Sequence, residues 1–140
     1  MGWLTAAFPK PLLAVAAAFL TASVAHFIHN AEYIADYPGM PGWLTREGVY
    51  GFWLAFASPG VVAILCARLR RPRLALAFLA VYGALGLDAL GHYALALCSE
   101  HTLAANITIW AEAVTGLVLC GASVVILGRR VLGRGNCQAC

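Results

Sequence analysis

Residues 74–97 read LALAFLAVYGALGLDALGHYALAL: an unbroken apolar run interrupted only by Tyr82, Asp88, His92 and Tyr93. At 24 residues it is longer than the roughly 20 needed to cross a bilayer core as a helix. No polar stripe recurs every third or fourth position, as it would on a helix half-exposed to water. The segment therefore predicts a membrane span, and three others match it. They run from about Pro11 to Ile34, from Glu47 to Ala67 and from about Thr102 to Leu127.

The whole chain agrees with this reading. It has 140 residues, 62% of them hydrophobic and 11% charged, and a mean hydropathy of +0.82. That is one integral membrane domain with no room for a soluble one. Short connections make consecutive spans antiparallel, so the expected fold is all-α: an antiparallel four-transmembrane-helix bundle. Abundant Ala and Gly suit close helix approach in lipid.

Lys10, Arg68, Arg70, Arg71, Arg73, Arg129, Arg130 and Arg134 fall at one end of such a bundle, and only Arg46 at the other. The positive-inside rule then predicts cytoplasmic termini, in a bacterial inner membrane. The net charge of +3 is topological and does not point to nucleic acid. Expected partners are membrane lipids, including anionic headgroups at the basic loop, and a homo-oligomer or larger membrane complex. A cleavage pattern at Lys10, LLAVAAAFL and Ser23–Val24–Ala25 would leave His26 as a new N-terminus. The apolar run continuing through HFIHNAEYI favours a retained span instead.

Local signals mark the ends. Pro11 suits a first helical turn, and the prolines and glycines of ADYPGMPG (residues 35–42) enforce a turn. Thr45 is the expected cap of the second span, with Glu47 set against its dipole. Pro59 is expected to kink that span, and Ser99 or Thr102 to cap the fourth. Tyr33, Tyr37 and Trp43 read as an interfacial aromatic belt. Cys66, Cys98 and Cys120 read as packing residues. The terminal CQAC, with Cys137 and Cys140, has dithiol spacing but no second ligand pair.

The polar residues inside the spans carry the functional signal. A carboxylate at the centre of a spanning helix costs about 2.5–3.5 kcal/mol on insertion scales, so such groups are rare and face a cavity or a partner. At 1.5 Å of rise per residue, His29 and His92 lie about 8 Å below the end carrying Arg46, while His26, Asp88 and Glu112 lie roughly 12–15 Å below it. His26, His29 and Glu32 recur at every third position. Asp88 and His92, and Thr108 and Glu112, are spaced four apart. One pocket built from the first, third and fourth spans is expected.

Three chemistries suit such a pocket. His26, His29, Asp88, His92 and Glu112 form a donor set for Zn, Fe, Mn or Cu, or for haem between two imidazoles, and the same groups bind protons. Alternatively Asp88 and Glu112 are acid–base groups of an isomerase-like enzyme acting on an isoprenoid, sterol or fatty substrate. In a third reading the chain is an accessory subunit whose buried pairs, Asp88 with His92 among them, only hold helices together. Glu100 and His101 read as ordinary loop residues.

The stretch HFIHNAEYIADYP (residues 26–38) resembles multispanning HXXEE-type membrane proteins. His29 and Glu32 fill the His-x-x-Glu part, and Tyr33 stands where the second Glu is expected. That resemblance implies a multispanning membrane protein and no particular activity. The four-helix plan with intramembrane carboxylates is also similar to that of sterol-isomerase-like (EXPERA) proteins, an analogy of architecture.

Overall fold

A computed structural model describes residues 2–135, so the Cys137/Cys140 pair lies outside the described residues. The described residues form six α-helices: α1 (Gly2–Ala7), α2 (Lys10–Glu32), α3 (Arg46–Arg68), α4 (Pro72–Leu85), α5 (His92–Leu95) and α6 (Leu103–Gly135). No strand occurs among the described residues. Four segments are long and apolar enough to cross a membrane: Lys10–Glu32, Arg46–Arg68, Pro72–Leu95 and Leu103–Gly133. The chain is an all-helical membrane protein built as a four-helix bundle.

The caps follow the sequence. Pro11 sits in the first turn of α2. Thr45 Oγ1 accepts from Gly48 N at 3.1 Å and Thr102 Oγ1 from Ala105 N at 3.2 Å, each capturing an amide that the first helical turn leaves free. Pro59 lies inside α3 and has no N–H for the Ala55 carbonyl. The Ser58 hydroxyl donates to that carbonyl at 2.7 Å, the kind of side-chain compensation that makes proline tolerable in lipid. The α3–α4 turn closes with Arg70 at φ 56°, a left-handed position glycine usually takes. Arg71 N donates to Cys66 O at 2.9 Å and Arg70 N to Ala67 O at 3.1 Å, the paired bonds of a Schellman cap.

Three features depart from the sequence reading. Helix α1 folds back on the bundle and buries Ala7 and Phe8 against α3 and α4. The third span is not one helix: between α4 and α5, Gly86–Gly91 winds as a 3-10 segment. With about 2.0 Å of rise per residue it covers roughly 12 Å where an α-helix would cover roughly 9 Å. Helix α6 also continues past Leu127 to Gly135, carrying Arg129 and Arg130.

The four spans form a ring in the order α2, α3, α4, α6, with the closest association between α4 and α6 and the loosest between α2 and α3. Lipid tails are as apolar as Leu, so close packing rather than water exclusion joins the helices. Gly83 and Gly116 supply it. A Cβ on Gly83 would lie 2.6 Å from Cys120 N, and one on Gly116 would lie 2.6 Å from Gly83 O, so the two backbones touch. Only 11% of the apolar window of α3 is buried. Leu54, Val61, Ile64 and Leu65 of this helix face outward, as lipid contact requires. Phe8, Leu12, Phe19, Leu76, Leu79 and Leu119 fill the half nearer the arginine-rich loop. A smaller cluster of Tyr37, Ala89, Ala105 and Ile109 closes the other end. A polar layer lies between them.

Candidate functional site

The inward stripe of α2 is Leu12, Phe19, Ser23, His26 and Asn30, spaced as a seam that faces partner helices along its length. Its lower members are apolar and its upper members polar. On α6 the buried positions Ala105, Ile109, Glu112, Leu119 and Ser123 recur in the same way. Glu112 thus occupies a core position and is 3% exposed. Where the stripes meet, His26 Nε2 lies 3.8 Å from Glu112 Oε2.

The hydrogen bonds assign the tautomers. Thr108 Oγ1 donates to Ala105 O at 2.9 Å, so it accepts from His26 Nδ1, which lies 3.3 Å away. The His26 Nε2 lone pair is left facing the Glu112 carboxyl. Asn30 Nδ2 lies 3.2 Å from His92 Nε2 and donates to it, which puts the His92 proton on Nδ1. His101 Nδ1 donates to Leu97 O at 3.0 Å, leaving its Nε2 as an acceptor. Four buried atoms then have no partner among the described residues: Glu112 Oε2, Asn30 Oδ1, His92 Nδ1 and His101 Nε2. Unpaired buried polar atoms are costly and few in folded proteins.

Tyr37 stands at the centre. All four histidines of the chain surround its ring, with centroids at 4.8 Å (His92), 5.7 Å (His29), 6.1 Å (His101) and 6.3 Å (His26). Its hydroxyl lies 2.8 Å from His29 Nδ1 and also meets Thr108. Burial raises the Tyr37 phenol above its ordinary pKa, against the pull of the Thr108 hydrogen bond. A polar chain therefore leads from half-buried His29 through Tyr37, Thr108 and His26 to Glu112.

Neither Tyr37 nor His101 was legible as a site residue. Tyr37 belongs not to an interfacial belt but to the core, at 3% exposure, because the 33–45 loop turns back over the bundle. His101 is likewise buried rather than a loop residue in solvent. Asn106, at the start of α6, ties the overlying turn down: its Oδ1 accepts from Tyr93 OH at 2.7 Å and its Nδ2 donates to Cys98 O at 3.0 Å.

Asp88 takes a different position from its expected one. Its spacing of four from His92 brings the two side chains together on an α-helix, but in a 3-10 segment neighbours repeat every third residue. His92 turns into the bundle, while Asp88 is exposed on the wall of a cavity and makes no side-chain hydrogen bond among the described residues. That cavity, about 360 Å³ and half-open, is lined by His26, Asn30, Asp88, His92 and Glu112. Phe27, Phe52, Phe56, Met40 and Leu85 complete the lining. The pocket expected from the first, third and fourth spans gains an apolar wall from α3, the second.

Glu32 belongs to a clasp outside this site. Arg46 donates to its Oε1 from Nη2 at 2.6 Å and from Nε at 2.9 Å, and Tyr50 OH at 2.7 Å. The His-x-x-Glu pair diverges: His29 turns to Tyr37 and Glu32 to α3. No three His, Cys, Asp or Glu side chains among the described residues converge to hold a metal ion. The His26 and His92 rings meet edge to face at 5.3 Å; His26 Nδ1 lies against Thr108, His26 Nε2 is 3.8 Å from Glu112 Oε2 and His92 Nε2 lies against Asn30. Comparison of the chain with protein-family models, with curated proteins and with solved structures gives no match.

Proposed function

We propose that this membrane protein binds a small amphiphilic, lipid-soluble molecule in the cavity lined by His26, Asp88, His92 and Glu112 and exchanges protons with its polar end through His26 and Glu112. The observation that carries this reading is the mixed lining of one cavity, aromatic side chains of α3 together with a buried imidazole–carboxyl pair. The volume falls within the range of small-molecule sites, which are mostly apolar with a few placed polar groups. A base nitrogen and a carboxyl 3.8 Å apart suit a reaction that takes a proton from one atom of the ligand and returns one to another. An isomerisation is of this kind, with no net change in protons. Positioned acid–base groups contribute typically 10²–10⁴-fold. His26 is the base, Glu112 the acid, and Asp88 and His92 hold the ligand's polar end.

Passage of protons across the whole membrane is less favoured, because the half beyond Glu112 is packed with Phe19, Leu76 and Leu119. The excess of basic residues at the far end supports a cytoplasmic position for that end, with the cavity on the opposite side.

The test is organic extraction and mass spectrometry of protein purified in mild detergent, comparing wild type with Phe56→Trp, which narrows the cavity, and Glu112→Gln. Wild type is expected to retain a lipid-soluble compound at near stoichiometry. Phe56→Trp loses it, and Glu112→Gln retains it and accumulates it unconverted. Equal retention by wild type and Phe56→Trp, or none by any form, overturns the reading.

A further inference from the structure

At the arginine-rich end a cleft of about 330 Å³ opens between the first turn of α4 and the last turns of α6, lined by Pro72, Arg73, Arg129, Arg130 and Gly133. Three of these five residues are arginines, and contacts between elements set two of them in place. Pro72 opens α4, which puts Arg73 in its first turn. Arg73 Nη2 donates to Arg130 O at 3.3 Å, bridging α4 and α6, and Arg130 Nη2 donates to Ala6 O of α1 at 3.5 Å. A guanidinium carries five N–H donors and no acceptor, so one bond leaves most of each fork unspent. The Arg129 side chain is exposed at the same cleft.

No carboxylate balances this charge. The six acidic residues are Glu32, Asp36, Glu47, Asp88, Glu100 and Glu112, and Glu112, the one furthest along α6, stands about 25 Å from Arg129 at 1.5 Å of rise per residue. Helix α4 has no side-chain cap, so the amides of its first turn have no partner within the helix and add their positive end to the cleft. The depth of the site names the anion's source. Arg73 directly precedes the apolar run of α4, and Arg129 follows that of α6. Val125, one turn into the membrane from Arg129 and on its face, is exposed, as are Leu74 and Phe78 of α4. An anion held here has water on one side and hydrocarbon on the other, which is where a lipid phosphate lies. We propose that this cleft is a second binding site, separate from the acid–base cavity, for the phosphate of an anionic membrane lipid, clasped by Arg73, Arg129 and Arg130 with its acyl chains along α4 and α6. Arginine forks match phosphate oxygens in pairs. A zwitterionic lipid would bring an ammonium to a cleft of cations with no carboxylate to receive it.

The probe is dioleoylphosphatidylglycerol, with dioleoylphosphatidylcholine as the zwitterionic lipid of the same chains. Each is titrated into the full chain in mild detergent, and the first lipid bound is followed by native mass spectrometry. Phosphatidylglycerol is expected to bind more tightly than phosphatidylcholine. Arg73→Gln and Arg129→Gln should each weaken it about five- to tenfold, the worth of one arginine at a lipid surface, and leave phosphatidylcholine binding unchanged. Both side chains are exposed, so both variants keep the fold. Arg70→Asn removes the same charge from the same end outside the cleft, at a left-handed position that suits asparagine, and should leave phosphatidylglycerol binding unchanged. Equal binding of the two lipids overturns the proposal. So does an Arg70→Asn loss as large as that of Arg129→Gln, which would mean diffuse surface charge rather than a site. Displacement of the lipid by inorganic phosphate at the same concentration also overturns it, since the cleft would then be a site for free phosphate.

Discussion

Alanine at Gly83 tests how the bundle is held and how its packing reaches the site. The added Cβ would stand 2.6 Å from Cys120 N and 2.7 Å from Gly116 O. Both are helix backbone atoms, which cannot turn aside as the tip of a side chain can. To restore an ordinary contact of 3.4 Å, α4 and α6 must part by about 0.8 Å. A gap of that size forfeits roughly a quarter to a half of the dispersion attraction of each contact along the interface. Overpacking of this kind costs about 1–3 kcal/mol, while alanine's better helix propensity returns up to about 1 kcal/mol. The expected net loss is about 1–2 kcal/mol. Gly121→Ala is the control, since a Cβ there meets nothing within 4 Å and only the propensity gain remains. Unfolding in mixed detergent micelles, followed by tryptophan fluorescence, should place Gly83→Ala below wild type and Gly121→Ala at or above it. Because Glu112 lies one turn from Gly116, the same opening should lengthen the His26–Glu112 separation and weaken ligand retention. If Gly83→Ala matches Gly121→Ala in stability, the backbone contact is not what joins α4 to α6.

Glu112→Gln keeps the shape of the side chain and removes the acid. Unfolding should shift by less than about 1 kcal/mol, while turnover of the bound ligand falls about 10²–10⁴-fold; an unchanged rate would take Glu112 out of the chemistry. Tyr37→Phe loses the hydroxyl's hydrogen bonds to His29 and Thr108, about 1–2 kcal/mol. Tyr37→Ala opens a hole among four imidazoles and should cost about 3–5 kcal/mol in the same assay; equal effects would contradict the buried position of the ring. Gly91→Ala meets nothing within 4 Å and favours regular helix over the 3-10 turn. It should raise stability by about 0.5–1 kcal/mol while lowering ligand affinity, as Asp88 is drawn from the cavity wall; tighter binding would count against a role for the 3-10 segment.

What could be read from the sequence was whatever local chemistry decides. Apolar runs of sufficient length fixed the spans, Thr45 and Thr102 announced caps, and the depths of the polar residues pointed to one pocket, with His29 and His92 above His26, Asp88 and Glu112. The 3-10 segment was hidden because GLDALG has no proline and sits inside one continuous span-length run. Its geometry is set by tertiary contacts, such as Phe19 standing 2.5 Å from where a Gly86 Cβ would be. Assuming 3.6 residues per turn then aimed Asp88 beside His92. Tyr37 and His101 were missed for a second reason. Both sit in connections, and whether a connection folds over the bundle depends on distant anchors such as Asn106, which hydropathy does not register.

The arrangement of contacts also bears on whether the polar layer serves assembly alone. Helix association here rests on the glycine contact of α4 with α6 and on apolar packing around Phe19 and Leu119. Asp88 takes no part in it, since it makes no hydrogen bond to another helix. His92 spends one nitrogen on Asn30 and keeps the other unpaired, and Glu112 keeps an oxygen unpaired beside it. Groups that exist to fasten helices would be satisfied by the helices they fasten, because an unmet donor or acceptor in the bilayer core gives back what the fastening contributes. These residues instead line a shared cavity together with the apolar side chains of α3. Their cost is consistent with a ligand whose polar end completes the layer and whose apolar end lies along α3.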